Sequence, residues 1–292
     1  MASIGLETTM APRRALRDGL ILWGLVAVAA MVAGIFLWLL SDIIWHGLPR
    51  ISWSFLTTEP RSSGRLGGIL PIIVSTILLL AITIAVALPL GLATAILLVE
   101  FARTGSRAAR LVSLSLDVLA GIPSIVFGLF GNAFFCVWLG LGFSILSGGL
   151  TLACMALPIL IRTTEAGLRA VPADWRLGAA ALGLTRAAAL THILLPAAAP
   201  AVVAGLMLGI GRAAAETAAL VFTSGYVDRM PDSVLDSGRA IAVHIYDLSM
   251  NVSGGEASAY ASALVLVGML IIVNSGALLL SNRLLRKRIV LS

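Results

Sequence analysis

No charged residue interrupts the chain from Leu20 to Leu40 or from Ile69 to Val99. An apolar run of about twenty residues, wound as a helix, matches the hydrocarbon thickness of a bilayer. Within that thickness each backbone N–H and C=O must be satisfied inside the protein, which leaves helices as the open choice for such runs. The same reading gives six spans, at about 20–40, 69–99, 114–141, 146–162, 193–222 and 260–280. Composition agrees, because 59% of the residues are hydrophobic and only 12% are charged, against about 25% charged in a soluble domain. The expected fold class is therefore an all-α membrane protein. A secretory signal is excluded for the first run by its length and by the lack of a small-x-small cleavage site after it.

Six spans place both termini on one side. Fourteen Lys and Arg fall on that side and five on the other, namely Arg50, Arg61, Arg65, Arg229 and Arg239. By the positive-inside rule the richer side is cytoplasmic. The plan is then a cytoplasmic tail over 1–19, a transmembrane domain over 20–284 and a basic cytoplasmic tail over 285–292. The net charge of +6 is a topology signal, clustered at span ends, and no nucleic-acid partner is expected. Cys136 and Cys154 lie in apolar runs without ligand-type neighbours, so neither a metal nor a disulfide is expected of them. There is no P-loop, no nucleophile triad and no metal spacing, so the chain is not expected to be an enzyme. Energy for uphill movement has to come from an ion gradient or a partner.

Three stretches depart from plain apolar helix. In the third run, Gly121-Ile122-Pro123-Ser124-Ile125-Val126-Phe127-Gly128 puts a proline inside a span. Pro123 removes a backbone hydrogen bond and predicts a kinked or discontinuous helix there, read either as a plain kink or as a segment lining a path. From Arg162 to Pro196 charges recur among alanine and leucine. Pro172 with Asp174 predicts a fresh helix start, Gly183 a break or C-cap, and Thr185 the next start. Two short helices joined by tight turns make a rigid knob suited to docking. In the fifth run, Arg212 and Glu216 stand four residues apart, so in one helix they share a face and can pair. Charges in a span cost about 2.5–3.5 kcal/mol each on insertion scales. The two readings are an ion pair that fixes packing, or a polar lining in which Arg212, with Arg162 toward the same side, attracts an anion.

These motifs resemble a known family. Leu177-Gly178-Ala179-Ala180-Ala181-Leu182-Gly183 is similar to the coupling loop of ABC-importer permeases, with Leu177 where that loop carries Glu. The 121–128 motif extended through Leu129-Phe130, Ile161-Arg162-Thr163-Thr164-Glu165, Val171-Pro172 and Gly211-Arg212-Ala213-Ala214-Ala215-Glu216-Thr217-Ala218 resemble the PstA-type permease subunit of bacterial phosphate ABC importers. The resemblance runs from about residue 20 onward and implies the type I importer fold with cytoplasmic coupling helices over 165–190. It implies a substrate path through Arg162, Arg212, Glu216 and Thr217, with Pro123 and Ser124 on the path helix. ATPase coupling falls to Pro172, Arg176, Ala179, Ala180 and Gly183. Implied partners are a PstC-like permease subunit, two copies of an ATP-binding subunit that holds ATP and Mg²⁺, and a periplasmic phosphate-binding protein docking on 41–68 and 223–259. No cofactor is implied for this chain. The alternatives are a permease for molybdate, sulfate or phosphonate, an ion-gradient-driven transporter, which should show an inverted repeat, and a signalling scaffold, which should carry a soluble domain.

Overall fold

The computed structural model describes residues 12–102 and 106–289. The first eleven and last three residues, and Arg103 in the basic loop, lie outside this set, as do parts of the two expected tails. Helix α1 (Pro12–Gly47) is followed by a 3₁₀ turn, a short α2 (Trp53–Thr57) and a hairpin of β1 (Pro60–Arg61) and β2 (Leu66–Gly67). This two-stranded hairpin is a small exception to the all-helical expectation. Helix α3 (Leu70–Ile96) runs on through a π-helical turn at Leu97–Phe101. Then come α4 (Arg107–Gly121) and α5 (Ser124–Gly131), the latter continued by a π turn to Trp138. Helix α6 (Ile145–Ala170) leads to α7 (Ala173–Ala181). Helix α8 (Arg186–Ala189) passes through another π turn into α9 (Leu195–Ala214). The chain closes with α10 (Ala218–Val221), α11 (Ile241–Met250) and α12 (Glu256–Ile289).

Among the described residues five helical stretches are long and apolar enough to cross a membrane, and six if the bent pair α4 and α5 is one span. Three expected boundaries change. The third span is broken, with α4 and α5 meeting at 107°. Pro123 is the cause, since as N-cap of α5 it sits in extended backbone and can donate no hydrogen bond. The fourth span does not stop at 162. Helix α6 carries on to Ala170, so the first part of the 165–190 segment is span helix and α7 alone is the free-standing short helix. The second expected short helix, α8, is the start of the fifth span, one helical run from Arg186 to Ala214.

The core lies where α3, α6 and α9 pack. Leu79 and Leu80 of α3, Leu152 and Met155 of α6, and Ile210, Ala213 and Ala214 of α9 are buried together with Phe127 and Leu220. Lipid is as apolar as leucine, so helix association here relies on close packing and on polar ties. Small residues every fourth position on α9 (Ala201, Gly205, Gly209) let it approach α6. A Cβ on Gly205 would overlap Thr163 Oγ1, and one on Gly209 would stand 3.5 Å from Ala156 Cβ. Thr83 Oγ1 donates to Gly149 O at 3.2 Å, joining α3 to α6.

At the end of the bundle remote from α7, the hairpin and the segment between α10 and α12 form a cap. Arg239 is buried there. It donates to Asp247 at 3.1 Å and to Tyr226 O at 2.8 Å, with its guanidinium carbon 5.7 Å from the Tyr226 ring centroid. His244, fully buried, lies beside it, its ring pressed on Gly64, whose φ of +84° no side chain adopts readily. Burial, with the Arg239 charge adding to it, lowers the His244 pKa to about 4.

Candidate substrate path and coupling surface

Helix α7 is built as a rigid projection. Pro172 is its N-cap and Asp174 lies in its first turn, where a negative charge suits the helix dipole. Its other end is a Schellman motif: Leu184 N–H donates to Ala179 O and Gly183 N–H to Ala180 O, both at 3.0 Å, with Gly183 at φ +72°. Thr185 Oγ1 then accepts from Ala188 N and starts α8. Ala179 is buried against the bundle, whereas Ala180, Pro172 and Gly183 are exposed. The outward surface is apolar, with Trp175, Leu177 and Leu182 exposed. Leu177, where the resembled loop carries Glu, is 68% exposed and so points away from the bundle.

Arg176 points inward. Its Nη2 and Nε donate to Glu100 Oε1 at 2.7 and 3.2 Å, and its Nη2 and Nη1 donate to Leu168 O and Val171 O at 2.9 and 3.0 Å. Glu100 lies in the π turn that ends the α3 helix, so one guanidinium holds α3, α6 and α7 together. Sequence reading singled out Arg176 and missed Glu100, because the two are 76 residues apart and no local pattern links them.

The two arginines assigned to a common path lie in different settings. Arg162 Nη2 donates to Asp117 Oδ1 at 2.5 Å and to Ser113 O at 3.0 Å, and its Nη1 donates to Glu165 Oε2 at 3.0 Å. Asp117 and Ser113 belong to α4, so Arg162 ties the broken span to α6, and Glu165 also holds Arg169 at 2.9 Å. Sequence reading missed Asp117 as its partner. Arg212, in the last turn of α9, is exposed on this chain and has no polar partner among the described residues. Helices α6 and α9 run antiparallel, with Thr163 beside Gly205. Arg212 therefore stands about 10 Å along the bundle axis from Arg162, at 1.5 Å per residue.

The expected Arg212–Glu216 pair is not formed. Helix α9 ends at Ala214, Ala215 is its C-cap, and Glu216 turns away so that its Oε1 accepts from Ala219 N at 3.2 Å. Glu216 thus caps α10 in place of Thr217, which occupies the N-cap position without a side-chain bond. Alanine-rich sequence would extend the helix, but burial of Ala213, Ala214, Ala219 and Leu220 in the core requires a turn between them. Helix α10 packs on α5: a Cβ on Gly128 would meet the Ala219 Cα at 2.8 Å, and Asn132 Nδ2 donates to Phe222 O at 2.8 Å. The break after Arg212 and the break before Ser124 are therefore neighbours in space. Pro123 is exposed and Ser124 half-buried at the second of them.

The bundle thus has interrupted spans, a guanidinium without a polar partner among the described residues beside the interruption, and a capped apolar knob at one end. The chain belongs to the family described as "Binding-protein-dependent transport system inner membrane component", which matches residues 87–286. It is the non-catalytic, multi-pass permease component of an ABC importer, a class that works with ATPase subunits and a binding protein. Among its relatives are the "Phosphate transport system permease protein PstA 2" of Mycobacterium tuberculosis, 31% identical over 96% of this chain and 92% of the relative. The "Probable ABC transporter permease protein YqgI" of Bacillus subtilis is 30% identical, covering 89% and 93%. The fold is that of type I importer permeases. A chain of a bacterial alginate ABC transporter superposes with a TM-score of 0.67 over 93% of this chain and 97% of that one, at 13% identity.

Proposed function

We propose that the protein is a membrane subunit of an ATP-driven inorganic phosphate importer, forming half of the translocation path. The observation that carries an anionic substrate is Arg212. Its guanidinium, planar and permanently charged, stands without an acidic partner among the described residues and matches a tetrahedral oxyanion with paired hydrogen bonds. The names of relatives aligned over most of the chain support phosphate among the oxyanions. Glu216 and Thr217 position the broken end of α9 beside α5. Arg162, its charge balanced by two carboxylates, secures α4. The partner across the path is a second, PstC-like permease subunit. Of two ATPase subunits holding ATP and Mg²⁺, one docks on α7, and a phosphate-binding protein docks on the hairpin cap. The termini face the cytoplasm and the cap faces the periplasm, in agreement with the placement of basic residues.

The test is uptake of labelled phosphate by proteoliposomes containing the complex, with and without ATP, for wild type and Arg212→Gln. The expected result is ATP-dependent uptake that falls at least tenfold in the variant while ATP hydrolysis and assembly persist. Uptake within twofold of wild type overturns the role of Arg212. Wild-type uptake of molybdate or sulfate but not phosphate overturns the substrate.

A further inference from the structure

Helix α7 is joined to its own chain by α6 before it and α8 after it, yet its one ion pair among the described residues reaches elsewhere, to Glu100 at the end of the α3 helix. The pair is largely shielded, with the Glu100 and Arg176 side chains 16% and 29% exposed. Most of the guanidinium fork is used, since Nη2 and Nη1 also donate to the Leu168 and Val171 carbonyls at the end of α6. A cleft of about 220 Å³ opens at the pair, lined by Glu100 and Arg176 themselves with Ala179, Ala180, Leu184 and Arg186. Packing thus leaves space where α7 faces the end of the α3 helix, and the polar tie crosses there. Glu100 also sits in a π-helical turn, where widened backbone hydrogen bonding is easier to reshape than an α-helix and is often found at functional positions. From that turn α3 runs as one helix to the core, where Leu79, Leu80 and Thr83 contact α6 and α9.

We infer that Glu100 is a positioning residue for energy coupling, which by holding Arg176 makes α3 and α7 move as one body. Displacement of the knob then reaches the middle of the bundle directly along α3, in addition to the covalent route through α6. The inference rests on the permease role and on ATP-driven import as proposed above.

It is tested on the assembled complex in proteoliposomes, reading phosphate uptake per ATP hydrolysed and the rise of hydrolysis on adding loaded binding protein. Glu100→Ala is expected to copurify with the ATPase and to keep basal hydrolysis within twofold. Its uptake per ATP should fall at least tenfold. In a background with Cys136 and Cys154 replaced by Ala, the Glu100→Cys/Arg176→Cys pair should show the same loss. Bridging it with a short bismaleimide should bring uptake back to within threefold of wild type. Uptake per ATP within twofold of wild type in Glu100→Ala overturns the inference. So does loss of copurification, which would make the pair a folding requirement, or a bridge that fails to restore uptake. If wild type takes up no phosphate while its hydrolysis still responds to the binding protein, the phosphate reading fails alone. The stimulated-to-basal hydrolysis ratio then serves as the coupling readout.

Discussion

At the scale of single residues, four arginines separate into three that are tied down and one, exposed on α9, that is not. Arg162, Arg176 and Arg239 each meet at least one carboxylate, whereas Arg212 meets none among the described residues. His244 is the residue whose environment can be read out by pH. Its Nε2 is buried without a hydrogen-bond partner among the described residues, and its pKa of about 4 lies below the ordinary 6.5. A group held neutral in the fold costs stability wherever the unfolded chain would protonate it. Stability from this site is thus whole above pH 6.5 and declines as pH falls toward 4. At about 1.36 kcal/mol per pH unit the loss is roughly 3 kcal/mol across that window. Thermal unfolding of the detergent-solubilised protein should show this fall, and His244→Gln should flatten it. Residue identity was the most legible level of the sequence: Arg212, Arg176, Pro123 and Gly183 all stood out. Their partners did not, because Asp117 and Glu100 are brought up by folding from 45 and 76 residues away.

At the scale of helices, local signals were readable where backbone chemistry dictates them and misleading where packing does. Pro123 broke its helix and Gly183 closed a C-cap, since each acts through its own φ. The Arg212–Glu216 spacing suggested one helix face because nothing between them opposes helix. Burying alanines on both sides of the turn overrides that propensity. The α6–α9 contact is equally a matter of packing. Gly205→Val should push α9 from Thr163 and cost about 1–3 kcal/mol in a tightly packed contact. The check is the midpoint of thermal aggregation in detergent, expected to drop by several degrees, whereas Leu208→Val, on the exposed face of α9, should leave it unchanged.

At the scale of the whole molecule, α4, the first half of the broken third span, has Leu116 as its one buried residue. Helix α4 is fastened by Leu116 in a small apolar cluster with Ala95, Leu98 and Ile161, and by the Arg162 ties. Asp117→Asn removes one carboxylate, but Asp117 is 64% exposed and Glu165 continues to hold Arg162. The expected loss is below about 1 kcal/mol, as for other solvent-accessible pairs, seen as a shift of no more than a few degrees in the unfolding midpoint. A larger shift would mean that α4 depends on this one tie. The six-run hydropathy pattern made the number of spans legible. It could not show that one of them bends by 107°, since hydropathy carries no direction.

Helix α1 packs along α12 and leaves the span-length stretch from Arg17 onward without buried side chains in this subunit. Its persistence in a membrane is therefore its own property, set by an apolar segment of mean hydropathy 2.6 and not by the bundle. During synthesis such a helix can leave the translocon and rest in lipid while the remaining spans are still being made. The first step of this protein's biogenesis is thereby uncoupled from its folding. The stretch up to Gly47 already contains a complete membrane anchor.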